Sequence, residues 1–255
     1  MEIKRVVVWT SGGITSAMAG KLAYWRYKDS GIPVIFVNCD TGSEDEDNMR
    51  FMFDCSAWIG VPLTIIRNEK YADTFAVYEH AKFFKGPHGA RCTLDLKKIP
   101  RRQFEDLEFD LQVFGFSAEE VARAEDFNKN NPEVMTWFPL IEANILKADC
   151  KKMLLDAGIN EPRTYKEGFK NANCLKRGCV KGGMGYWNHI RKARPEVFAN
   201  MAAEERKIGY AICSKGETIN GKRVKVPVFL DELSPRDGNY NTEPEFQCGL
   251  FCGLK

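Results

Sequence analysis

Two glycines and three hydroxyl side chains occupy one short segment near the start of the chain, Ser11–Ser16 (Ser-Gly-Gly-Ile-Thr-Ser). The segment follows a β-branched run, Ile3–Trp9, and opens a stretch of helical periodicity from Ile14 to about Lys28. Glycines let a backbone approach phosphate oxygens, hydroxyls donate hydrogen bonds, and a helix N-terminus offers unpaired N–H groups. The segment therefore favours phosphate binding, although a plain strand-to-helix turn has the same composition. Its glycine spacing matches neither the dinucleotide fingerprint nor a Walker loop.

Thiols are a second group of reactive residues, because the chain holds nine cysteines, a large and odd number. We expect no secretory signal and therefore no disulfide framework. Four of the cysteines form two closely spaced pairs, Cys174 with Cys179 and Cys248 with Cys252. Four thiolates brought together suit zinc or a 4Fe-4S cluster, whereas separate cysteines serve as redox thiols or as small core residues. Both interpretations stay open.

A third segment mixes positive charge with aromatic rings. The whole chain is nearly neutral, with 37 basic against 35 acidic residues, so any binding of a polyanion must come from local clustering. Between Arg163 and Arg194 there are nine basic residues and one acid, together with Tyr186 and Trp187. This mixture fits nucleic acid with a splayed base, or a lid over nucleotide phosphates. It also fits a solvated basic face whose rings lie in the core.

Elements that must position these residues alternate along the first half of the chain. The expected strands are Ile3–Trp9, Pro33–Asn38, Pro62–Ile66, Leu111–Phe116 and Met135–Pro139, with a later strand-like run at Val224–Phe229. The expected helices are Ile14–Lys28, Glu44–Ile59, Asp95–Leu107, Ala118–Asn128, Lys147–Ala157 and Pro195–Ile208. The alternation predicts an α/β fold, a Rossmann-like parallel sheet of about five strands with helices on both faces.

The predicted sheet places its loops where ligands bind. In such folds the ligand lies beyond the carboxyl ends of the strands, which here are followed by Thr10–Ser16, Cys39–Glu46 and Gly115–Arg123. We expect an α/β domain over residues 1–146 and a helical, basic, cysteine-rich region over 147–255 that completes the site. Since no run of 18 apolar residues occurs, we also expect a cytoplasmic protein without a membrane span.

Several segments together resemble the PP-loop superfamily, also called the adenine nucleotide α-hydrolase-like (HUP-type) fold. Ser11, Gly12, Gly13 and Ser16 match its Ser-Gly-Gly-x-Asp-Ser signature, with Thr15 where the family usually has Asp. Within the superfamily the chain is most similar to the phosphoadenosine phosphosulfate (PAPS) reductase group. The further matching segments are Val37–Glu44, Arg91–Pro100, Gly115–Arg123 and Phe138–Leu140. The resemblance covers roughly residues 3–160 and implies binding of an adenine nucleotide.

The resemblance implies a role for each matching residue. The β/γ-phosphates of ATP, or the phosphosulfate of PAPS, would be held by Ser11, Gly12, Gly13, Thr15 and Ser16. Asp40, Thr41, Gly42 and Gly115 would contact the nucleotide, and Asp40 or Glu44 could hold Mg²⁺. Lys97, Arg101 and Arg123 could neutralise charge on phosphate, although for Arg101 a solvated helix face is the favoured interpretation. Thr15 in place of Asp weakens the case for metal-assisted release of pyrophosphate.

Three functions follow from the resemblance. In the first, the enzyme splits ATP to AMP and pyrophosphate and adenylates an acceptor, which prepares it for sulfur or nitrogen transfer. A nucleobase or nucleic acid is one option for this acceptor. In the second, a PAPS or adenosine phosphosulfate reductase uses Cys248 as nucleophile and releases sulfite. Cys248-Gly249-Leu250 resembles the terminal Glu-Cys-Gly-Leu-His motif, with Gln247 and Phe251 replacing Glu and His. The third is a nucleotide- or nucleic-acid-binding protein without catalysis.

The partners expected from these functions differ. A reductase needs a thioredoxin-like reductant, whereas sulfur transfer needs a sulfur donor. Neither function requires a membrane, and a homodimer is left open.

Overall fold

The structure is a computed structural model that describes residues 2–87, 89–172, 174–219 and 221–244. Its strands are β1 (Arg5–Thr10), β2 (Val34–Asp40), β3 (Leu63–Arg67), β4 (Lys85–Gly86), β5 (Gly89–Ala90), β6 (Asp110–Phe114), β7 (Thr136–Trp137), β8 (Cys213–Ile219) and β9 (Lys222–Val228). Its α-helices are α1 (Ile14–Tyr27), α2 (Glu46–Ile59), α3 (Thr74–Ala81), α4 (Arg91–Thr93), α5 (Ile99–Phe104), α6 (Val121–Asn130), α7 (Pro139–Glu142), α8 (Lys147–Asp156), α9 (Arg163–Lys166), α10 (Met184–Ala193) and α11 (Pro195–Ile208). A π-helical turn spans Leu94–Lys98, and 3-10 turns span Ala118–Glu120 and Leu230–Glu232.

The chain divides into two compact units. Unit 1 comprises Met1–Asp40, Asp45–Arg67 and Pro100–Ala172. Unit 2 comprises Thr41–Glu44, Asn68–Ile99 and Asn173–Lys255. None of the helices that the structure describes is both long and apolar enough to cross a membrane.

Five parallel strands form the sheet of unit 1, in the order β3-β2-β1-β6-β7. Val6 of the central strand β1 pairs with Val34 of β2 and with Leu111 of β6. Val6, Val7 and Val8 are all 0 % exposed. Because successive side chains of a strand point to opposite faces, both faces of β1 are covered. The predicted α/β, Rossmann-like parallel sheet of about five strands, with helices around it, is confirmed.

Local chemistry explains where two of the predicted helices differ from the structure. Helix α2 begins at Glu46, two residues later than expected, because the Asp45 side chain caps it by accepting from the Asp47 N–H at 3.0 Å. The predicted helix over Asp95–Leu107 is instead the π-helical turn followed by α5. Pro100 lacks the N–H that would continue an α-helical ladder, and the preceding Ile99 N–H bonds to the carbonyl of Leu94.

Unit 2 holds elements that the sequence did not predict. The predicted helix Pro195–Ile208 is α11, and the strand-like run at Val224–Phe229 belongs to β9, whose partner β8 was not predicted. Helix α11 buries Glu205, which accepts hydrogen bonds from Ile212 N at 2.5 Å and from Leu230 N at 2.6 Å. Burial raises the pKa of Glu205 to about 7, although the two backbone donors oppose the rise. Glu205 therefore joins α11 to the segments before β8 and after β9.

Candidate functional site

The Ser11–Ser16 loop of unit 1 is ordered by its own hydroxyl groups. Thr10 Oγ1 accepts from the Gly12 N–H at 3.2 Å and shares a hydrogen bond of 2.9 Å with Ser16 Oγ. Ser16 Oγ in turn donates to the carbonyl of Gly13 at 2.7 Å. Gly12 has a φ of +75°, a conformation that favours glycine. The hydroxyl of Ser16 therefore holds the loop in shape, which leaves the backbone N–H groups and the hydroxyls of Ser11 and Thr15 as donors for an anion.

Helix α1 begins at this loop without a side-chain cap. Its N-cap residue, Gly13, makes no side-chain hydrogen bond to the helix, and its first turn contains no acid. The first N–H groups of a helix have no intrahelical partner and carry the positive end of the helix dipole. The geometry of the loop thus suits an anion beyond the carboxyl end of β1, as the sequence predicted for Ser11–Ser16.

Gly115 packs directly against the start of α1. A Cβ atom added at Gly115 would lie 2.5 Å from Ser16 N, 2.6 Å from Ser16 Cα and 2.6 Å from the carbonyl carbon of Thr15. Ordinary carbon contacts are near 3.5–4 Å, so only glycine fits at this position. The structure therefore brings together two segments, Ser11–Ser16 and Gly115, that the sequence assigned to one site.

Two buried asparagines next to the loop were missed by the sequence analysis. Asn38 is 1 % exposed and donates from Nδ2 to the carbonyl of Thr10 at 3.0 Å. Asn48 is 0 % exposed, donates to the carbonyl of Ala172 at 2.5 Å, and has its Cβ 3.5 Å from the position of a Cβ at Gly12. Among the described residues, neither Oδ1 atom has a hydrogen-bond partner. A buried acceptor left in this state costs about 1–3 kcal/mol, so a donor from water or a ligand is required at each.

Asp40 and Arg123 lie in unit 1 beside opposite charges. Asp40 ends β2 opposite Arg67 of β3, with 3.9 Å between Oδ2 and Nη1. Arg123 forms an ion pair with Glu120 and lies 4.0 Å above the ring of Phe116. Each predicted contact with nucleotide phosphate or Mg²⁺ would therefore compete with a neighbour that is already present.

The favoured interpretation of Arg101 as part of a solvated helix face is wrong. The residue is 6 % exposed, and its guanidinium lies 3.5 Å from the carboxylate of Glu105. Burial lowers the pKa of Arg101 to about 10. It borders a cleft of about 990 Å³ that also contains the Arg5–Asp110 ion pair. The cleft is lined by both signs of charge, which gives no preference for phosphate.

Unit 2 carries the remaining residues that were assigned to the nucleotide. Lys97 and Glu44 form a nearly buried pair, with Nζ and Oε1 3.8 Å apart and side-chain exposures of 4 % and 9 %. Gly42 has a φ of +64°, and a Cβ there would lie 2.0 Å from the carbonyl oxygen of Ala72. Thr41 Oγ1 lies 3.5 Å from Cys174 Sγ. Glu44 therefore balances the charge of Lys97, and this pairing competes with the predicted binding of Mg²⁺.

Three cysteines of unit 2 surround the buried Tyr78. Tyr78 Oη donates to Cys92 Sγ at 3.2 Å. Burial raises the pKa of Tyr78 well above its usual range, and the nearby Cys92, Cys179 and Cys174 thiols add to the rise. All three thiols thus lie near Tyr78, a proximity that spacing along the sequence did not reveal. Cys248 and Cys252 lie outside the described residues.

The described part of the chain contains no group of three or more His, Cys, Asp or Glu side chains arranged to hold a metal ion. The cysteines that the sequence left to core packing include Cys55, Cys150 and Cys213. Burial raises the pKa of each of these thiols to about 12, which makes them inert at neutral pH.

The part of the basic, aromatic segment that lies in unit 2 is mostly used for packing. Tyr186 and Trp187 are 1 % and 0 % exposed, which supports the interpretation that places these rings in the core. Arg177 pairs with Asp73 at 2.7 Å, and Arg191 donates to the carbonyl of Leu233 at 2.6 Å. These rings cannot stack on a splayed base without unfolding α10.

Comparison with known proteins gave matches at the level of structure only. No family model and no curated protein matches the chain. Among solved structures, the chain is similar to a PAPS reductase from Candida auris in a phosphate complex, with 14% identity over 66% of this chain and 80% of that one, and a TM-score of 0.46. It is also similar to the U34-tRNA thiolase NcsA from Methanococcus maripaludis with its [4Fe-4S] cluster, with 16% identity over 82% and 74% of the two chains and a TM-score of 0.47. Identities this low transfer neither a substrate nor a residue's role.

Proposed function

We propose that the chain is a PAPS reductase-like enzyme of the PP-loop superfamily that binds the phosphates of an adenine nucleotide at Ser11–Ser16. The observation that supports this most is the uncapped N-terminus of α1 behind a loop that its own hydroxyls hold in shape. The close packing of Gly115 against Ser16 adds to it, because it fixes the direction of the α1 N–H groups. The matching motifs occur along the chain in the order seen in the PP-loop superfamily, so we expect the base of the bound nucleotide to be adenine.

The proposed reaction splits ATP to AMP and pyrophosphate. An oxygen of the acceptor attacks the α-phosphorus, the bond from that phosphorus to the bridging oxygen breaks, and pyrophosphate leaves with the bonding electrons. A sulfur or nitrogen nucleophile then displaces AMP from the adenylated acceptor. The backbone N–H groups at the start of α1 would stabilise charge on the leaving pyrophosphate, with Ser11 and Thr15 as further donors. Arg123, in the same unit as the loop, is the cation proposed to act there, and it would first leave Glu120. Lys97 of unit 2 is the other proposed catalytic cation, and Glu44 balances its charge in the structure.

The proposed metal sites meet the donor chemistry only in part. Asp40 supplies a carboxylate at the end of β2, where Mg²⁺ bound to nucleotide phosphate would neutralise charge. Glu44 fits less well, because Lys97 lies 3.8 Å away. Cys174 and Cys179 are buried thiols that fit zinc or a 4Fe-4S cluster, with Cys248 and Cys252 as the other proposed ligands. A zinc ion would cross-link the segments that carry these four cysteines, whereas a 4Fe-4S cluster would supply a binding site for sulfur.

A PAPS or adenosine phosphosulfate reductase is the second candidate function, favoured by Cys248-Gly249-Leu250 near the end of the chain. The thiolate of Cys248 would attack the sulfonate sulfur, the bond between sulfur and the phosphate oxygen would break, and the nucleotide phosphate would leave with the bonding electrons. A thioredoxin-like dithiol would then reduce the Cys248 S-sulfonate, releasing sulfite and forming a disulfide in the reductant. Nucleotide binding without turnover is the third outcome to be tested.

Two substrates distinguish these functions. Protein purified without oxygen is incubated with Mg²⁺, candidate acceptors and ATP labelled at the α- and γ-phosphates, and separately with PAPS and reduced thioredoxin, after its visible spectrum is recorded. We expect AMP and pyrophosphate from ATP, and their loss in Ser11→Ala but not in Ser30→Ala, an exposed serine of the same unit. Sulfite from PAPS, lost in Cys248→Ser, would replace the first function by the second. Tight nucleotide binding with neither product, in the presence of candidate acceptors, would contradict both.

A further inference from the structure

Strands β8 and β9 form a hairpin in unit 2, and most of its residues are exposed. The strands pair antiparallel from Cys213 opposite Val228 to Ile219 opposite Lys222. Residues opposite each other point to the same face, and neighbours along a strand point to opposite faces. A two-stranded ribbon alone is only marginally stable in water. A long exposed hairpin therefore adds little to the stability of a fold unless its surface contacts another molecule.

The two faces of the hairpin differ in charge. One face, called here the basic face, contains Ser214, Gly216, Thr218, Arg223, Lys225 and Pro227 and has no acidic residue. The opposite face carries Lys215, Lys222 and Glu217 together with apolar side chains such as Ile219 and Val224, and Lys215 on that face lies 2.5 Å from Asp237. Residues 214–228 hold four basic residues and one acid, in a chain that is nearly neutral overall. The hairpin is therefore a local cluster of positive charge, with two cations on each face, and its one acidic residue, Glu217, lies on the face opposite the basic face.

Arg223 and Lys225 extend from the basic face without acidic partners. A Cβ added at Gly216 would lie 3.1 Å from Arg223 Nε and 3.4 Å from Nη2, so the guanidinium lies across the flat surface that Gly216 provides. Within the described ranges, neither Arg223 nor Lys225 pairs with a carboxylate, in contrast to Arg206, which lies 2.7 Å from Asp231. Two residues apart on a strand, the two side chains emerge about 6.7 Å from each other.

We propose that the β8–β9 hairpin binds the sugar–phosphate backbone of a nucleic acid through its basic face. Repeated phosphates along a strand match two cations spaced along a ribbon, and the hydroxyls of Ser214 and Thr218 add donors of the kind that contact phosphate. The face is flat, because Gly216 and Pro227 lie beside the cations, so a small anion finds no enclosing pocket on it. The inference does not depend on the nucleotide reaction, since binding is measured without ATP or PAPS.

The test compares binding of fluorescein-labelled 20-nucleotide RNA, the same single-stranded DNA, and 20-bp duplex DNA to the full chain over a range of salt. Arg223→Ala/Lys225→Ala removes two phosphate contacts, so affinity at 0.1 M salt falls about 20- to 60-fold and the slope of log K against log salt falls by about 1.4–1.8. The matched control, Arg102→Ala/Lys129→Ala, removes one arginine and one lysine that are exposed in unit 1 and leaves both quantities unchanged.

A third variant distinguishes a loss of binding from a loss of folding. Thr218 lies directly opposite Arg223, so Thr218→Glu places a carboxylate beside the guanidinium and adds a cross-strand ion pair to the hairpin. Its thermal unfolding midpoint should not fall, and its affinity for the preferred probe should drop at least about tenfold. Absence of binding by the unmodified chain at 50 mM salt, equal affinity in all variants, or equally effective competition by poly-glutamate would each overturn the proposal.

Discussion

Replacing Gly115 by alanine tests whether the start of α1 is the phosphate site. The new methyl carbon would lie 2.5 Å from Ser16 N, about 1 Å inside an ordinary contact, and backbone atoms rather than flexible side chains surround it. The start of α1 must therefore move by about 1 Å, which lengthens or misdirects N–H···O bonds to a bound phosphate. A hydrogen bond to a charged group contributes about 1.5–3 kcal/mol, so loss of one lowers ATP affinity by about 10- to 100-fold.

The assay is calorimetric titration of Gly115→Ala with ATP and with AMP. AMP lacks the β/γ-phosphates, so its affinity should fall less than that of ATP if the loop holds those groups. Gly31→Ala is the control, because Gly31 has a φ of +75° and open space around it, so alanine there adds backbone strain without touching the loop. We expect Gly31→Ala to lose stability while keeping ATP affinity. An ATP affinity in Gly115→Ala within twofold of the unmodified chain would refute the assignment of phosphate to this loop.

Two further predictions concern buried charges in unit 2. Because burial raises the pKa of Glu205 to about 7, the folded state binds more protons than the unfolded state between pH 4.5 and 7, and the free energy of unfolding should fall by up to about 3 kcal/mol as pH rises through that range. Chemical denaturation of Glu205→Gln should lack this fall, and an equal fall in both proteins would assign it to other groups. Glu44→Gln should destabilise the fold by about 3 kcal/mol, because it leaves the nearly buried Lys97 without its carboxylate, and Glu44→Gln/Lys97→Met should recover part of this loss. Additive losses in the double variant would show that the two charges do not stabilise each other.

The sheet was predictable from sequence because its strands are short apolar runs separated by helical stretches. Val6, Val7 and Val8 are buried on both faces, and no other arrangement hides such a run as simply as a parallel sheet with covered faces. Strand β8 was not predictable in the same way. Six of its seven residues, Ser214–Ile219, include charged, small and polar side chains, and only Cys213 is buried. The apolar residues of the hairpin lie mostly on β9, so β8 alone gives little alternation of apolar and polar residues in the sequence.

The cysteine neighbourhood shows why spacing along the chain misses contacts in space. Cys92 is 82 residues before Cys174 along the chain, yet both lie close enough to Tyr78 to shift its pKa. The contact depends on α3, which carries Tyr78 and which the sequence analysis did not predict. A motif search finds pairs such as Cys174 and Cys179, whereas a third residue is supplied by tertiary packing that no local pattern encodes.

The hydrogen bonds within the Ser11–Ser16 loop determine which of its groups can contact a ligand. The sequence assigned the hydroxyl of Ser16 to phosphate, but the structure uses this hydroxyl between Thr10 and Gly13. What remains for an anion is the row of backbone N–H groups at the start of α1, together with the hydroxyls of Ser11 and Thr15, and these donors bind charge without choosing between the terminal phosphates of ATP and a phosphosulfate. Discrimination between the two must then come from groups around the loop. The buried Oδ1 atoms of Asn38 and Asn48, which have no partner among the described residues, are acceptors, so they would disfavour direct contact with phosphate oxygens.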